Sequence, residues 1–287
     1  RVNRIKSIQS SLAIENNTLS LEQVTDVLNG KRVLGPRDDI LAVKNAFAVY
    51  KILPKLDPFS LEDLKKAHGV MMQGLVEGAG ELRTSSVGVI NEQGKVIHVA
   101  PPHDMVKGLT EQLFDWLKTS KTQMLIRSSI FHYEFEFIHP FADGNGRTGR
   151  LWQTALLASW KPIFEWIPIE SIIKDNQEDY YRAIGLSTAE GKSNRFILFM
   201  LGIIKNVVSE LARDTRNHQS HISNQINALM SVIETYPMSA VELMEKLGLK
   251  SRVTFRKNYL QPALEAGLIA MTDPDTPTSR NQRYFKV

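Results

Sequence analysis

Apolar residues recur every three or four positions along most of this chain, which is the spacing of helices that bury one face. The pattern predicts a mainly α protein, and Ser20 and Ser60 supply capping residues at two of the predicted helix starts. The helices are predicted at residues 4–16, 20–28, 37–52, 60–72, 103–119, 122–138, 145–160, 175–188, 193–215 and 219–235.

One stretch in the first half of the chain alternates apolar and polar residues instead. The alternating apolar residues flank the polar turn at residues 91–94 and are Val87, Val89, Ile97 and Val99. Alternation around such a turn predicts two short strands joined as a hairpin. Taken alone, this pattern is that of an ordinary surface hairpin.

The pattern changes again over residues 219–287. A short helix is predicted to end at Gly248, and a second to run from Ser251 towards Ala266. Two short apolar stretches then bracket a polar turn that contains proline. Helix, turn, helix and hairpin in this order resemble a winged helix-turn-helix domain.

The sequence leaves the partner of this C-terminal domain open. Arg252, Arg256 and Lys257 fall on one side of its second helix, where DNA contacts would lie. Against DNA, Pro262 would kink or end that helix. In addition, residues 221–287 carry 8 Lys and Arg against 6 Asp and Glu, a net charge of only +2. DNA binding therefore stands beside protein interaction, which is the favoured interpretation.

Composition narrows the function classes. The chain has 287 residues, of which 43% are hydrophobic, enough for one large packed domain and a smaller one. It contains no cysteine, which excludes disulfides, thiol nucleophiles and cysteine-ligated zinc and fits a cytoplasmic protein. Apolar runs are short and interrupted by charges, so neither a membrane span nor a secretory signal is predicted.

Candidate chemistry concentrates in residues 139–150, His-Pro-Phe-Ala-Asp-Gly-Asn-Gly-Arg-Thr-Gly-Arg. Apolar runs on both sides predict a loop between two buried helices, the second beginning near Gly144. A helix start leaves backbone N–H groups unpaired and carries partial positive charge, so it attracts anions. Gly144 and Gly146 lack the side chains that would keep a phosphate away from those amides.

The charged residues of this segment complete a candidate phosphate site. Arg147 and Arg150 lie three apart on one helix face, where their guanidinium groups can hold neighbouring phosphates. Asp143 lies beside them, and Mg²⁺ binds through one or two carboxylates together with phosphate oxygens. Histidine is the side chain whose ordinary pKa lies closest to neutrality, so His139 is the candidate general base.

The segment resembles the signature of the Fic family, His-Pro-Phe-x-(Asp/Glu)-Gly-Asn-Gly-Arg-x-x-Arg, and meets every fixed position. The resemblance implies an inhibitory helix at residues 1–20, a helical Fic (Fido) core with a β-hairpin flap at 21–218, and the winged helix-like domain at 219–287. It also implies that ATP binds at this segment, with Asn145 among its contacts. AMP would then pass to a Ser, Thr or Tyr hydroxyl of a protein, and pyrophosphate would leave. The structural alternative is a plain turn followed by solvated arginines.

A second motif precedes the core. Residues 11–16, Ser-Leu-Ala-Ile-Glu-Asn, fit the family's inhibitory pattern, Ser/Thr-x-x-x-Glu-Gly/Asn, through Ser11, Glu15 and Asn16. The resemblance implies that Glu15 pairs with Arg150, and one guanidinium group cannot serve a carboxylate and a phosphate together. Without the downstream motif, these residues would only mark the end of a helix.

The resemblance also assigns roles outside the two motifs. The flap, residues 82–102, is expected to hold an extended segment of the protein target by strand addition. Its Val89 and Ile90 are expected among the nucleotide contacts. Tyr180 and Tyr181 are expected to line the adenine pocket, and the alternative is that both are core tyrosines.

Two other functions stay open. The same site can remove AMP from a modified protein if Glu15 orients a water molecule. A protein of another class, a DNA-binding regulator whose helical core senses a nucleotide, would form no adduct, but the complete set of residues around His139 argues against it. Homodimerisation is a further expectation from the family, whereas the protein target and the signal that releases Glu15 cannot be deduced.

Overall fold

The computed structural model describes residues 2–90, 96–277 and 279–287; for residues 2, 89–90, 96–98, 211 and 214–223 the description covers the backbone alone. The chain forms two compact units, Arg1–Val207 and Val208–Val287. It is mainly α, as the sequence predicts. Within the described ranges, no helix combines the length and the apolar character needed to span a bilayer.

The first unit is built from helices and one hairpin. In chain order its elements are α1 (Val2–Ile14), α2 (Leu21–Leu28), α3 (Arg37–Ile52), α4 (Leu61–Met72), β1 (Gly88–Ile90), β2 (Val96–Val99), α5 (His103–Thr119), α6 (Met124–Ile138), α7 (Asn145–Trp160), α8 (Ile169–Asp175), α9 (Gln177–Glu190) and α10 (Asn194–Val232), which continues into the second unit.

Capping side chains fix two of these helix starts. Ser20 Oγ accepts from the Gln23 backbone N–H at 3.2 Å, and Gln23 Oε1 accepts from the Ser20 N–H at 2.9 Å, which forms a complete capping box for α2. Ser60 Oγ accepts from the Asp63 N–H at 3.2 Å at the start of α4. Both helix starts therefore agree with the sequence prediction.

Helices α6 and α7 carry the centre of the core. Phe131 and Phe135 of α6 and Trp152 and Leu156 of α7 are fully buried, and so is Phe141 in the loop between these helices. Close packing on both flanks and at the middle of the loop restricts the backbone of the segment that holds the candidate chemistry.

The hairpin lies where alternation predicts it. Strands β1 and β2 pair antiparallel, with Gly88 opposite Val99 and Ile90 opposite Val96. The turn predicted at residues 91–94 falls outside the described residues.

One prediction of helix boundaries is wrong. The sequence predicts separate helices at residues 193–215 and 219–235, whereas α10 is a single helix of 39 residues. No glycine or proline occurs between residues 203 and 235 to end the helix. Helix α8 was not predicted either.

The second unit packs short helices on a small sheet. After the end of α10 its elements are β3 (Met238–Ser239), α11 (Ala240–Lys246), α12 (Arg252–Phe255), a π turn (Arg256–Leu260), α13 (Gln261–Glu265), β4 (Ile269–Met271) and β5 (Arg283–Lys286). The sheet is antiparallel in the order β3–β5–β4. Apart from β3, this is the order of elements predicted for residues 219–287.

Candidate functional site

The loop between α6 and α7 turns sharply at both ends. Helix α6 ends because His139 adopts a left-handed backbone with φ 51°, and the proline that follows disfavours helical continuation. Gly144, at φ 78°, caps α7. A side chain at Gly144 would be strained at that φ, and its Cβ would lie 2.5 Å from Met72 Sδ. This explains why the second helix begins where the sequence predicts.

The side chain of Asn145 fixes the loop backbone through two hydrogen bonds. Its Oδ1 accepts from the Phe141 N–H at 2.9 Å, and its Nδ2 donates to the Phe141 carbonyl at 2.8 Å. Asn145 is 2% exposed, and both polar atoms of its side chain are bound to the loop backbone. In this structure the residue predicted as a nucleotide contact therefore serves to shape the loop.

His68 of α4 supports the same loop, although no motif in the sequence marks it. Its Nδ1 accepts from the Gly80 N–H at 2.8 Å, so its Nε2–H donates to the Asp143 carbonyl at 2.9 Å. The ring stacks on Phe141 with the centroids 3.7 Å apart. Burial lowers the pKa of His68 to about 4, so the imidazole stays neutral and keeps this arrangement. A histidine on the apolar face of a predicted helix was the available clue.

At the start of α7, a small space lies against Gly146 and the Arg150 guanidinium, where the sequence predicts an anion site; we call this space the seat. A Cβ added to Gly146 would collide with Glu15 Oε1 and lie 3.0 Å from Arg150 Nη1. The Glu15 carboxylate therefore lies in this seat, against the bare backbone of the helix start. Negative charge is favoured there by the unpaired amides and the helix dipole.

Arg150 makes three contacts with the end of α1 and the residue that follows it. Its Nη2 lies 2.7 Å from Glu15 Oε1 and donates to the Ser11 carbonyl at 3.0 Å, while its Nε donates to Ser11 Oγ at 3.2 Å. The Arg150 side chain is 1% exposed and that of Glu15 is 32% exposed. Burial opposes the charge of Arg150, but the neighbouring carboxylate raises the pKa of this arginine above its ordinary value.

The end of α1 explains the third residue of the inhibitory pattern. Asn16 adopts φ 64°, a left-handed conformation that asparagine and glycine tolerate, and the Asn17 N–H returns to the Leu12 carbonyl at 3.1 Å. Asp39 then anchors the next residue, since its Oδ2 accepts from the Thr18 N–H at 2.8 Å. Helix α1 thus ends at a fixed point one residue before Glu15.

Asp143 and Arg147 lie at the outer side of the seat. Arg147 Nη2 is 3.3 Å from Asp143 Oδ2, and Asp143 Oδ1 accepts from the Gly144 N–H at 2.6 Å. The Asp143 side chain is 61% exposed. A cavity of about 210 Å³ borders both residues and Glu15. Among the described residues, no group of three or more His, Asp or Glu side chains is arranged to hold a metal ion.

His139 lies at the start of the same loop, directly after α6. Its Nδ1 is 3.3 Å from the Glu136 carbonyl oxygen, which can only accept, so Nδ1 carries the proton and Nε2 the lone pair. Glu136 precedes His139 near the end of α6, and its side chain is 11% exposed. Burial alone would raise the pKa of Glu136, but the nearby His132, whose Nε2 lies 3.7 Å from Glu136 Oε1, and the charge of Arg150 bring this pKa below its ordinary value.

Arg83 ties this loop to the base of the flap, and no motif identified it. Its guanidinium donates to four backbone carbonyls. The acceptors are His139 at 2.7 Å, Ser85 at 2.7 Å, Pro101 at 2.6 Å and Ile138 at 3.3 Å. The residue is 5% exposed. Because Ser85 and Pro101 flank the two strands, one buried side chain couples the position of the flap to that of His139.

The remaining predicted contacts differ in their surroundings. Tyr180 is 1% exposed and its hydroxyl lies 3.1 Å from His132 Nε2, so the structure favours the alternative of a core tyrosine for this residue. Tyr181 is 36% exposed, and burial with the nearby Glu15 charge raises its pKa to about 12. Val89 and Ile90 belong to β1, but their side chains lie outside the described part.

Family profiles match a part of each unit. The Fic/DOC family profile matches residues 58–157, which include the whole loop motif. The profile named "Filamentation induced by cAMP protein Fic-like, C-terminal domain" matches residues 224–285.

Similar proteins agree with these profiles. "Protein adenylyltransferase Fic" from Culex quinquefasciatus is 29% identical over 210 residues, 68% of this chain and 39% of the relative. "Protein adenylyltransferase fic-1" from Caenorhabditis elegans is 26% identical over 250 residues, 77% of this chain and 46% of the relative. The chain thus spans less than half the length of these curated relatives.

A solved structure matches over the full chain. It is that of a Fic family protein from Desulfovibrio desulfuricans G20, which is 48% identical and superposes with a TM-score of 0.73. The match covers 100% of this chain and 87% of that one. An identity of this level over the whole chain, together with the complete loop motif, means that the chain belongs to the Fic family.

Proposed function

We propose that the protein is a self-inhibited adenylyltransferase, which transfers AMP from ATP to a hydroxyl of a protein and releases pyrophosphate. The observation that carries the proposal is the seat at the start of α7. It combines the backbone at Gly146, which carries no side chain, with the buried guanidinium of Arg150, and the carboxylate of Glu15, the residue after α1, already lies in it. The names of the curated relatives support the same chemistry.

In this mechanism the seat holds the β- and γ-phosphates, with Arg147 and Arg150 as charged donors. His139 Nε2 accepts the proton from a Ser, Thr or Tyr hydroxyl of the target. The hydroxyl oxygen then attacks the α-phosphorus in line, the bond from that phosphorus to the bridging oxygen breaks, and pyrophosphate departs. Catalysis is mainly positioning and charge stabilisation, as in other phosphoryl transfers.

Asp143 suits a magnesium ion bound together with the nucleotide. Its carboxylate is mostly exposed and borders the cavity beside the seat. A single carboxylate is sufficient because Mg²⁺ commonly keeps water and phosphate oxygens as its other ligands. When bound, Mg²⁺ neutralises negative charge on the phosphates.

Glu15 inhibits by competition. ATP cannot place its γ-phosphate on Arg150 while the carboxylate pairs with the same guanidinium 2.7 Å away. Release of the end of α1 would open the seat. The expected target is a protein segment that pairs with the flap, since main-chain pairing holds extended peptides with little demand on side chains.

The role of His139 is tested in a Glu15→Gly background, where the seat is open. We expect the Glu15→Gly/His139→Ala double variant to bind ATP in calorimetry as the single variant does, and to lose pyrophosphate release. Comparable pyrophosphate release by both variants would reject His139 as the base.

Removal of AMP from a modified protein is the second candidate. Arg150 engages Oε1 of Glu15, and within the described residues Oε2 has no hydrogen-bond partner, so it can orient a water. We expect the wild type, but not Glu15→Gln, to remove AMP from Glu15→Gly protein that has modified itself. Equal removal by both would eliminate this role for Glu15.

A further inference from the structure

The positive charge of the second unit is concentrated in one segment. Residues 246–264 contain five Lys and Arg and no Asp or Glu, whereas all six acids of residues 221–287 lie outside this segment. The low net charge of residues 221–287 therefore conceals a strongly basic stretch. One of its cations, Lys246, lies 3.9 Å from Glu234. The other four are exposed and form no ion pair within the described part of the chain: Lys250, Arg252, Arg256 and Lys257.

Most of these cations lie at the start of one continuous helix. Helix α12, the π turn and α13 follow one another directly, so the helix runs from residue 252 to residue 265. The sequence predicts that Pro262 kinks or ends this helix, but the helix continues past it to Glu265. Its inner side packs on the core of the unit through buried Phe255, Leu260 and Ala263. The basic residues of its first turns therefore face outward.

The start of this helix borders an open concave space of about 290 Å³. The start of α11 and the loop between β4 and β5 form its other edges. Arg252 and Arg256 line the space from the helix, and Arg280 lines it from the loop. Arg280 is exposed and has no ion-pair partner among the described residues either. Together with the exposed Lys257, these three arginines form what we call the basic surface.

The acids of the unit lie away from the concave space. None of its described lining residues is Asp or Glu. Glu242 lies 3.6 Å from Arg283, which is outside the basic surface. Asp273 and Asp275 belong to the same loop as Arg280, but the Asp273 carboxylate accepts from the Thr276 hydroxyl. Cations without counter-charges on one side of a unit attract a polyanion.

We propose that the basic surface binds duplex DNA, with the start of the helix at residues 252–265 in the major groove. A helix with its side chains is about 10–12 Å wide and the groove is about 12 Å wide, so the two fit. The first residues of a helix in this position reach base edges. Arg280, on the neighbouring loop, would contact phosphates beside the groove.

An acidic protein would meet the same charges, but the composition of this surface favours DNA. Protein interfaces are enriched in aromatic residues and depleted of charge at their centre, whereas DNA interfaces are polar and strongly positive. Among the described residues of α11 and of the helix at 252–265, the exposed large apolar side chains are Val241 and Val253, and neither is aromatic. Val253 is 77% exposed and can contact a thymine methyl group.

The test measures binding of a fluorescent duplex of about 20 base pairs and random sequence to the full chain, by anisotropy, from about 50 to 200 mM salt. If the four cations of the basic surface each meet a phosphate, a plot of log affinity against log salt should have a slope of about −3 to −4. Arg252→Gln/Arg256→Gln should bring the slope to about −2 and weaken binding at least about tenfold.

Lys44→Gln/Lys118→Gln is the matched control, because it removes the same charge from two exposed residues of the first unit. It should leave the affinity and the slope unchanged. The proposal is overturned if the duplex does not bind saturably at about 50 mM salt, or if the two double variants lose affinity equally. It is also overturned if single-stranded DNA of the same length, or polyglutamate, binds as tightly as the duplex and loses affinity in the arginine variant.

Discussion

Replacement of Arg83 by methionine removes the four side-chain hydrogen bonds of its guanidinium while keeping much of the side-chain volume. The bond from the Arg83 backbone N–H to the Pro140 carbonyl, 2.9 Å long, remains. A hydrogen bond to a charged group contributes about 1.5–3 kcal/mol to the free energy of unfolding. Removing the guanidinium also removes the cost of burying its charge, which offsets part of that loss. This cost is evident in the pKa of Arg83, which burial lowers. We therefore expect a net loss of about 2–4 kcal/mol, or roughly 4–16 °C in the Tm of the first unit.

The informative measurement is turnover, made well below the Tm in the Glu15→Gly background. Leu117→Ala is the control, because Leu117 of α5 is fully buried and its loss costs a similar 2–5 kcal/mol. We expect Arg83→Met to lower kcat at least about tenfold with little change in KM for ATP, and Leu117→Ala to leave kcat nearly unchanged. Equal kcat values in the two variants would mean that Arg83 only stabilises the fold, and would refute the coupling argued from its four carbonyl contacts.

Three further changes test other contacts. Glu15→Gln should tighten ATP binding about 10- to 100-fold in calorimetry, because it removes a carboxylate that is one-third exposed and pairs with buried Arg150; unchanged affinity would reject competition. Gly146→Ala should abolish ATP binding even together with Glu15→Gly, because the new Cβ fills the seat; retained binding would place the phosphates elsewhere. The pKa of His68 is lowered in the folded state. The contribution of the neutral His68 to the free energy of unfolding should therefore be complete above the ordinary histidine pKa of 6.5, and it should fall by about 3 kcal/mol as the pH decreases to about 4. Urea titrations should show this loss in the wild type and in the exposed control His103→Gln, but not in His68→Gln; the same slope in all three would contradict the assignment.

The sequence predicts the parts of the site that lie in contiguous motifs. The loop between two buried helices, the helix start at Gly144 and the hairpin follow from glycines and from hydrophobic spacing, and the structure contains each of them. The Glu15 contact with Arg150 joins residues 135 positions apart, and only the family resemblance predicted it.

The parts that the sequence did not predict act through backbone groups. Arg83 and His68 bind carbonyl and amide groups, which every residue carries, so no spacing rule marks their partners. Asn145 is expected among the nucleotide contacts from the family resemblance, whereas its two hydrogen bonds to the Phe141 backbone could not be predicted from the motif.

The central claim is that the site transfers AMP and that Glu15 blocks it. The most direct measurement is intact mass together with pyrophosphate release for wild type and Glu15→Gly, each incubated with ATP and Mg²⁺. The account predicts pyrophosphate and an adduct with the mass of one AMP in Glu15→Gly, and far less of both in the wild type. Equal adducts in the two proteins would contradict inhibition by Glu15, and neither adduct nor pyrophosphate in Glu15→Gly would contradict the transfer itself.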